Sequence, residues 1–296
     1  MAHKPATLMM GLALLLALGL RAEAQNAAPQ GDSDAAQTAT SREIGAIPPI
    51  FPTLPPEAAA MSLQCAVPQS EVARSSPLVN TAARLESGNT LRVLAMGSSA
   101  FWSAGGLSAP RSYPSQLETI LEAVWKGVDV QIINRGVSGE IAATSSRRLI
   151  NEAAILRPTL VLWQVGTADA VARVGVAEFE DRVRATVRLL RENHIDVILV
   201  GLQYTPKFAR DSHFFAIRAA LDKIAAEENL LYVRRYQAMG FIANTRANLN
   251  ILADDDFKMA DLGYPCMAEH IAQAVVANIF LRRNGDRRGA APAKPN

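Results

Sequence analysis

Leu91-Arg92-Val93-Leu94-Ala95-Met96-Gly97-Ser98-Ser99 is the stretch whose reading decides the fold. Its first six residues are apolar except for Arg92, and a glycine and two serines follow at once. An unbroken apolar run this short suits a strand buried on both faces of a parallel sheet. A serine set directly after such a strand, among small residues, stands where a sheet edge meets solvent.

Working outward, the same signature recurs at Val128–Ile133, Leu160–Val165, Val197–Leu202 and Leu230–Val233. Helical periodicity fills the intervals. Leu117, Leu121 and Val124 share a face, as do Phe179, Val183, Val187 and Leu190. Phe215–Glu228 forms a further helix, and Met267, Ile271, Val275 and Ile279 mark the last. Strands alternating with helices predict a three-layer α/β/α sandwich around a flavodoxin-like, five-stranded parallel sheet of order 2-1-3-4-5. Ligands of such sheets bind beyond the carboxyl ends of the strands, near the switch in strand order. Gly97-Ser98-Ser99, Asn134-Arg135-Gly136-Val137-Ser138-Gly139 and Gly166-Thr167-Ala168-Asp169 all fall there.

These blocks, with Asp255-Asp256-Phe257-Lys258-Met259-Ala260-Asp261-Leu262-Gly263-Tyr264 near the end, resemble the SGNH (GDSL-type) hydrolase superfamily from about Leu91 to Leu281. The resemblance implies Ser99 as nucleophile, Gly139 as a backbone N–H donor to an oxyanion, and Asp255 as the acid that orients the base. It also exposes two departures. Ala168 stands where the pattern has an oxyanion asparagine, and Lys258 stands where it has the general-base histidine. Gly166, Asp169, Asp255, Asp261, Gly263 and Tyr264 match the pattern around them and hold both registers.

A serine hydroxyl without a base is a poor nucleophile near neutral pH. Lys258 serves as a base only as a neutral amine, and the carboxylates near it in sequence favour the charged form, so it reads as an ion-pair partner. The resemblance therefore implies an ester or acyl hydrolase of weak or impaired turnover, acting on an acylated small molecule or an envelope glycan. The other class it leaves open is a silent binding domain for an acylated glycan, lipid or envelope partner.

The remaining candidates carry less. His213 follows the fourth strand and reads as a solvated helix-start residue. His194 sits at a helix end, where a cation is favoured, and His270 lies beside the apolar face of the last helix. No pair of these has metal-ligand spacing, so neither metal nor cofactor is expected. Phe101 and Trp102 either line an acyl pocket or pack beneath the loop. The loop from Gly97 to Gly106 has neither a Walker lysine nor a dinucleotide fingerprint.

The 296-residue chain is 49% hydrophobic and 20% charged, with a formal charge of +2, which gives no reason to expect nucleic acid. His3 and Lys4, the apolar run Leu8–Leu20 and Ala22-Glu23-Ala24 read as a signal peptide over residues 1–24, too short for a comfortable membrane span. The mature chain is thus expected outside the cytoplasm, periplasmic or secreted, with no membrane-spanning segment. Residues 25–75 read as a disordered or extended Pro/Ala-rich segment, 76–283 as the folded domain and 284–296 as a disordered basic tail. The two cysteines, Cys65 and Cys266, are either a disulfide permitted by export or two buried thiols.

Overall fold

A computed structural model describes residues 59–97, 112–246 and 262–289, with side chains up to Ile279. The element that organises it is β2 (Leu91–Met96), paired in parallel with β3 (Val130–Asn134) on one side and β4 (Leu160–Gln164) on the other. Beyond β4 lie β5 (Asp196–Val200) and β6 (Leu231–Val233), also parallel. Read from β3, these five strands run in the predicted order, second, first, third, fourth, fifth. The sequence reading lacked the sixth, a two-residue strand β1 (Ala73–Arg74) that pairs antiparallel to β6 and covers that edge.

Alternation of side chains across the pleat divides the core into two. Leu91, Val93 and Ala95 of β2 join Leu160, Leu162, Ile198, Val200, Leu231 and Val233 on one face. Leu94 and Met96 join Val161, Trp163, Val197, Leu199 and Tyr232 on the other. The first face is covered by α2 (Val79–Glu86), α3 (Tyr113–Val124) and α9 (Gly263–Gly289). The second is covered by α4 (Ala142–Leu156), α6 (Val176–Glu192) and α7 (Ser212–Glu227). The inner strands β4 and β5 are buried along their whole length and largely apolar because helices shield both faces. The chain leaves β2 for the first face and β4 for the second, so strand order switches between these neighbours, and it is outside their carboxyl ends that sheets of this kind bind ligands.

The described residues 59–75 precede residue 76, the boundary expected from composition, and they pack onto the domain. From Ala59 the chain is fastened along α9. Cys65 and Cys266 are disulfide-bonded with Cα atoms 5.0 Å apart. Glu269 Oε2 accepts from Ser62 N at 2.7 Å and from Ser62 Oγ at 3.0 Å. His270 Nε2 meets the Cys65 carbonyl at 2.7 Å, and Asn278 Oδ1 accepts from Ser76 N at 2.8 Å. Helix α1 (Gln69–Val72) and β1 follow, with Arg234 N donating to Val72 O. Helix α9 continues to Gly289, past residue 284 where the tail was expected to begin, and residues 290–296 lie outside the described residues. No helix among the described residues is long and apolar enough to cross a membrane.

Candidate active site

The carboxyl end of β2 is prolonged by hydrogen bonds that draw the next loop across it. Arg135 N donates to Ala95 O, and Val137 N donates to Gly97 O, each at 2.8 Å. Asn134 Oδ1 accepts from Gly136 N at 3.0 Å, turning the chain as it leaves β3. Gly139 then lies exposed with φ +71°, a conformation that suits glycine, and a Cβ there would meet nothing within 4 Å. Its N–H has no acceptor among the described residues. A backbone N–H left without an acceptor among the described residues, on a loop tied to the end of β2, is what an oxyanion donor requires.

The block Gly166–Asp169 opens α5 (Thr167–Val171), entered through Gly166 at φ +103°. A Cβ on Gly166 would fall 2.7 Å from Leu202 Cδ1, so both conformation and space demand glycine. Ala168 is half-buried in the first turn, and its methyl group donates nothing. Asp169 behind it is fully buried and accepts from Ala142 N at 2.8 Å, tying the start of α4 to α5. Burial raises the Asp169 carboxyl above its ordinary range, against the opposing pull of the Ala142, Asp169 and Gly166 backbone N–H groups. Asp169 thus locks the Gly139 loop and the Ala168 turn into one frame.

A polar chain missed by the sequence reading runs onward from α5. Thr167 Oγ1 accepts from Gln203 N at 3.0 Å, and Gln203 Oε1 accepts from Arg235 Nη2 at 3.0 Å. Arg235, at the start of α8 (Arg235–Thr245), is fully buried near Tyr113 and Tyr264. Desolvation lowers its guanidinium to about 10, which still leaves it charged at neutral pH. A buried arginine has no periodic or motif signature, so no sequence signal marked it.

Ser99, Asp255 and Lys258 lie outside the described residues, as do Phe101 and Trp102. Of the predicted site, the structure therefore places Gly139 and Ala168. His213 is half-buried in the first turn of α7, with Nε2 shielded from solvent and without a hydrogen-bond partner. His194 follows the end of α6 at φ +59°, and His270 is fully buried in α9. Among the described residues no cluster of three His, Cys, Asp or Glu side chains can hold a metal ion. A hollow of about 640 Å³ lies between the last turns of α4 and α6, lined by Ile150, Ala153, Leu189 and Ile195. It sits at the amino edge of the sheet, away from Gly139 and Ala168.

The sheet order and the two glycine-bearing loops define a three-layer α/β/α sandwich with a flavodoxin-like parallel sheet. Residues 64–280 match the model of the Non-GDSL lipase-like family, and the chain belongs to that family. No curated protein matches it by sequence. Its fold is similar to that of a G-D-S-L family protein of Desulfitobacterium hafniense DCB-2. The two share 23% identity over 62% of this chain and 99% of that one, with a TM-score of 0.51. It is also similar to a lipase/acylhydrolase of Enterococcus faecalis, at 20% identity over 64% and 96% of the two chains and a TM-score of 0.55. An acetylxylan esterase of Geobacillus stearothermophilus aligns at 20% identity over 64% and 95%, again with a TM-score of 0.55.

Proposed function

We propose that the protein is an exported SGNH-type ester or acyl hydrolase of low turnover, acting on an acylated small molecule or envelope glycan. The observation that carries this reading is the exposed, unengaged N–H of Gly139 on a loop held to Gly97, two residues before Ser99. Ser99 would attack the acyl carbon and Gly139 would donate to the oxyanion that forms. Ala168 leaves that oxyanion one donor short, a loss worth about 10²–10³ in rate. Asp255 and Lys258 complete the candidate set, and the carboxylates adjacent to Lys258 in sequence would favour its charged form, which stabilises negative charge more readily than it takes a proton. Ala168 also favours the second reading, a catalytically silent domain that binds an acylated envelope component.

Fluorophosphonate labelling of the purified protein, with hydrolysis of short p-nitrophenyl esters by wild type and Ser99→Ala, separates the two. The low-turnover reading expects slow labelling at Ser99 and a weak rate that Ser99→Ala abolishes. Absence of both marks the silent domain. In either case Ala168→Asn with Lys258→His is expected to raise Ser99-dependent hydrolysis at least about 10²-fold, the smaller of the donor penalties. Each single change should recover far less than half of the logarithmic gain, because such groups act as a unit.

A further inference from the structure

We infer that Arg148 is a positioning residue that sets the direction of the Gly139 N–H by clamping both ends of the loop that carries it. The inference rests on Gly139 as the oxyanion donor. From α4, Arg148 Nε donates to Glu140 Oε1 at 2.8 Å and Nη2 donates to Glu140 Oε2 at 3.0 Å. The same Nη2 donates to the Arg135 carbonyl at 2.6 Å. One guanidinium thus grips the residue that opens the loop and the residue after Gly139 that closes it. The Glu140 side chain is only 7% exposed while the Arg148 side chain is 35% exposed, and the two-pronged fork makes the pair directional in a way that a single-bonded surface ion pair is not.

The clamp has a fixed base. Helix α4 has no side-chain cap of its own, and its first amide is held by Asp169 instead. One turn on, Trp163 Nε1 donates to Ser145 Oγ at 3.2 Å and pins α4 to β4. Arg148 follows within the next turn and reaches back. Arg135 braces the same loop from outside through Glu152, at 3.2 Å. Gly139 needs such bracing because nothing lies within 4 Å of where its side chain would be, and its own N–H is unengaged. A donor misdirected by about an ångström loses up to about 10²-fold in rate.

Backbone ¹⁵N relaxation at Gly139 tests the clamp without reference to turnover, with Gly166 as internal control. In wild type the Gly139 order parameter should lie near the rigid value of about 0.85, and Arg148→Ala should lower it below about 0.6 with Gly166 unchanged. Arg148→Lys, a single charge without a fork, should fall between. Glu140→Gln repeats the test if Arg148→Ala does not fold, and should loosen Gly139 in the same sense. Where wild type shows Ser99-dependent hydrolysis of p-nitrophenyl butyrate, Arg148→Ala should lower kcat at least about 10-fold with KM within about twofold. An unchanged Gly139 order parameter in the folded variants overturns the clamp. No Ser99-dependent turnover in wild type sinks the hydrolase reading instead, and the relaxation result alone then decides what Arg148 does.

Discussion

Gly201 and Tyr232 fit each other so closely that the glycine cannot take a side chain while the tyrosine stays in place. A Cβ on Gly201 would stand 2.7 Å from Tyr232 Oη, and the ring is fully buried. That hydroxyl has no hydrogen-bond partner, and burial pushes its pKa up, so it stays a neutral, unsatisfied phenol. An orphaned buried polar group is destabilising by about 1–3 kcal/mol. Tyr232→Phe is therefore expected to leave stability unchanged or raise it by about 1 kcal/mol, read from the urea midpoint at constant slope. Gly201→Ala should destabilise by about 1–3 kcal/mol through overpacking, and Tyr232→Phe in the same chain should relieve part of that. A strictly additive double variant would show that the two side chains do not contend for the same space. At this scale the sequence was informative only where a residue's type betrays its task. Gly139 and Gly166 fell inside recognisable blocks, whereas Arg148, Gln203 and Arg235 act through long-range contacts that no local pattern encodes.

Among the elements, the helices that periodicity revealed are those with a continuous apolar stripe. Phe179, Val183, Val187 and Leu190 are all buried in α6, as are Met267, Ile271, Val275 and Ile279 in α9. Helix α4 escaped that reading because Ser145 and Ser146 take core positions between Ala142 and Leu149, so its buried face does not look apolar. The hydroxyl of Ser145 is satisfied by Trp163, which is how a polar residue is tolerated there. Helix α2 is anchored from outside itself. Asp196, at the start of β5, accepts from Thr81 N at 2.7 Å, Thr81 Oγ1 at 2.8 Å and Asn80 Nδ2 at 2.9 Å. This is an N-terminal cap supplied by a distant strand, and Asp196→Ala should cost about 1–2 kcal/mol, as cap losses do. A loss below about 0.3 kcal/mol in chemical denaturation would show the cap to be dispensable.

For the molecule as a whole, His270 makes the join between the segment around Cys65 and α9 sensitive to acid. Desolvation lowers its pKa to about 4, although the bond to the Cys65 carbonyl raises it, and the neutral ring donates Nε2–H there. In the unfolded chain a histidine titrates near 6.5. As pH falls from about 6.5 to about 4, the unfolded state takes up a proton that the folded state refuses. Stability should therefore fall by up to about 3 kcal/mol across that window and level off below it. His270→Gln, which keeps a donor at the same reach, should flatten this part of the pH–stability curve. An unchanged slope between pH 6.5 and 4 would place the acid sensitivity elsewhere.

The Cys65–Cys266 bond has a mechanical consequence. It joins residues 201 apart, and every strand of the sheet lies between them. Tension applied at the two ends of the chain passes from Cys65 directly into α9 at Cys266 and never reaches a strand. Pulled in an optical trap, the oxidised protein should keep its sheet intact at forces that strip only the segments outside the bond. Adding reductant should then release a hidden length of roughly 700 Å, the span of that many extended residues. A protein tugged from its ends would in this way be shielded from unzipping, with the sheet and the Gly139 loop left in register under strain.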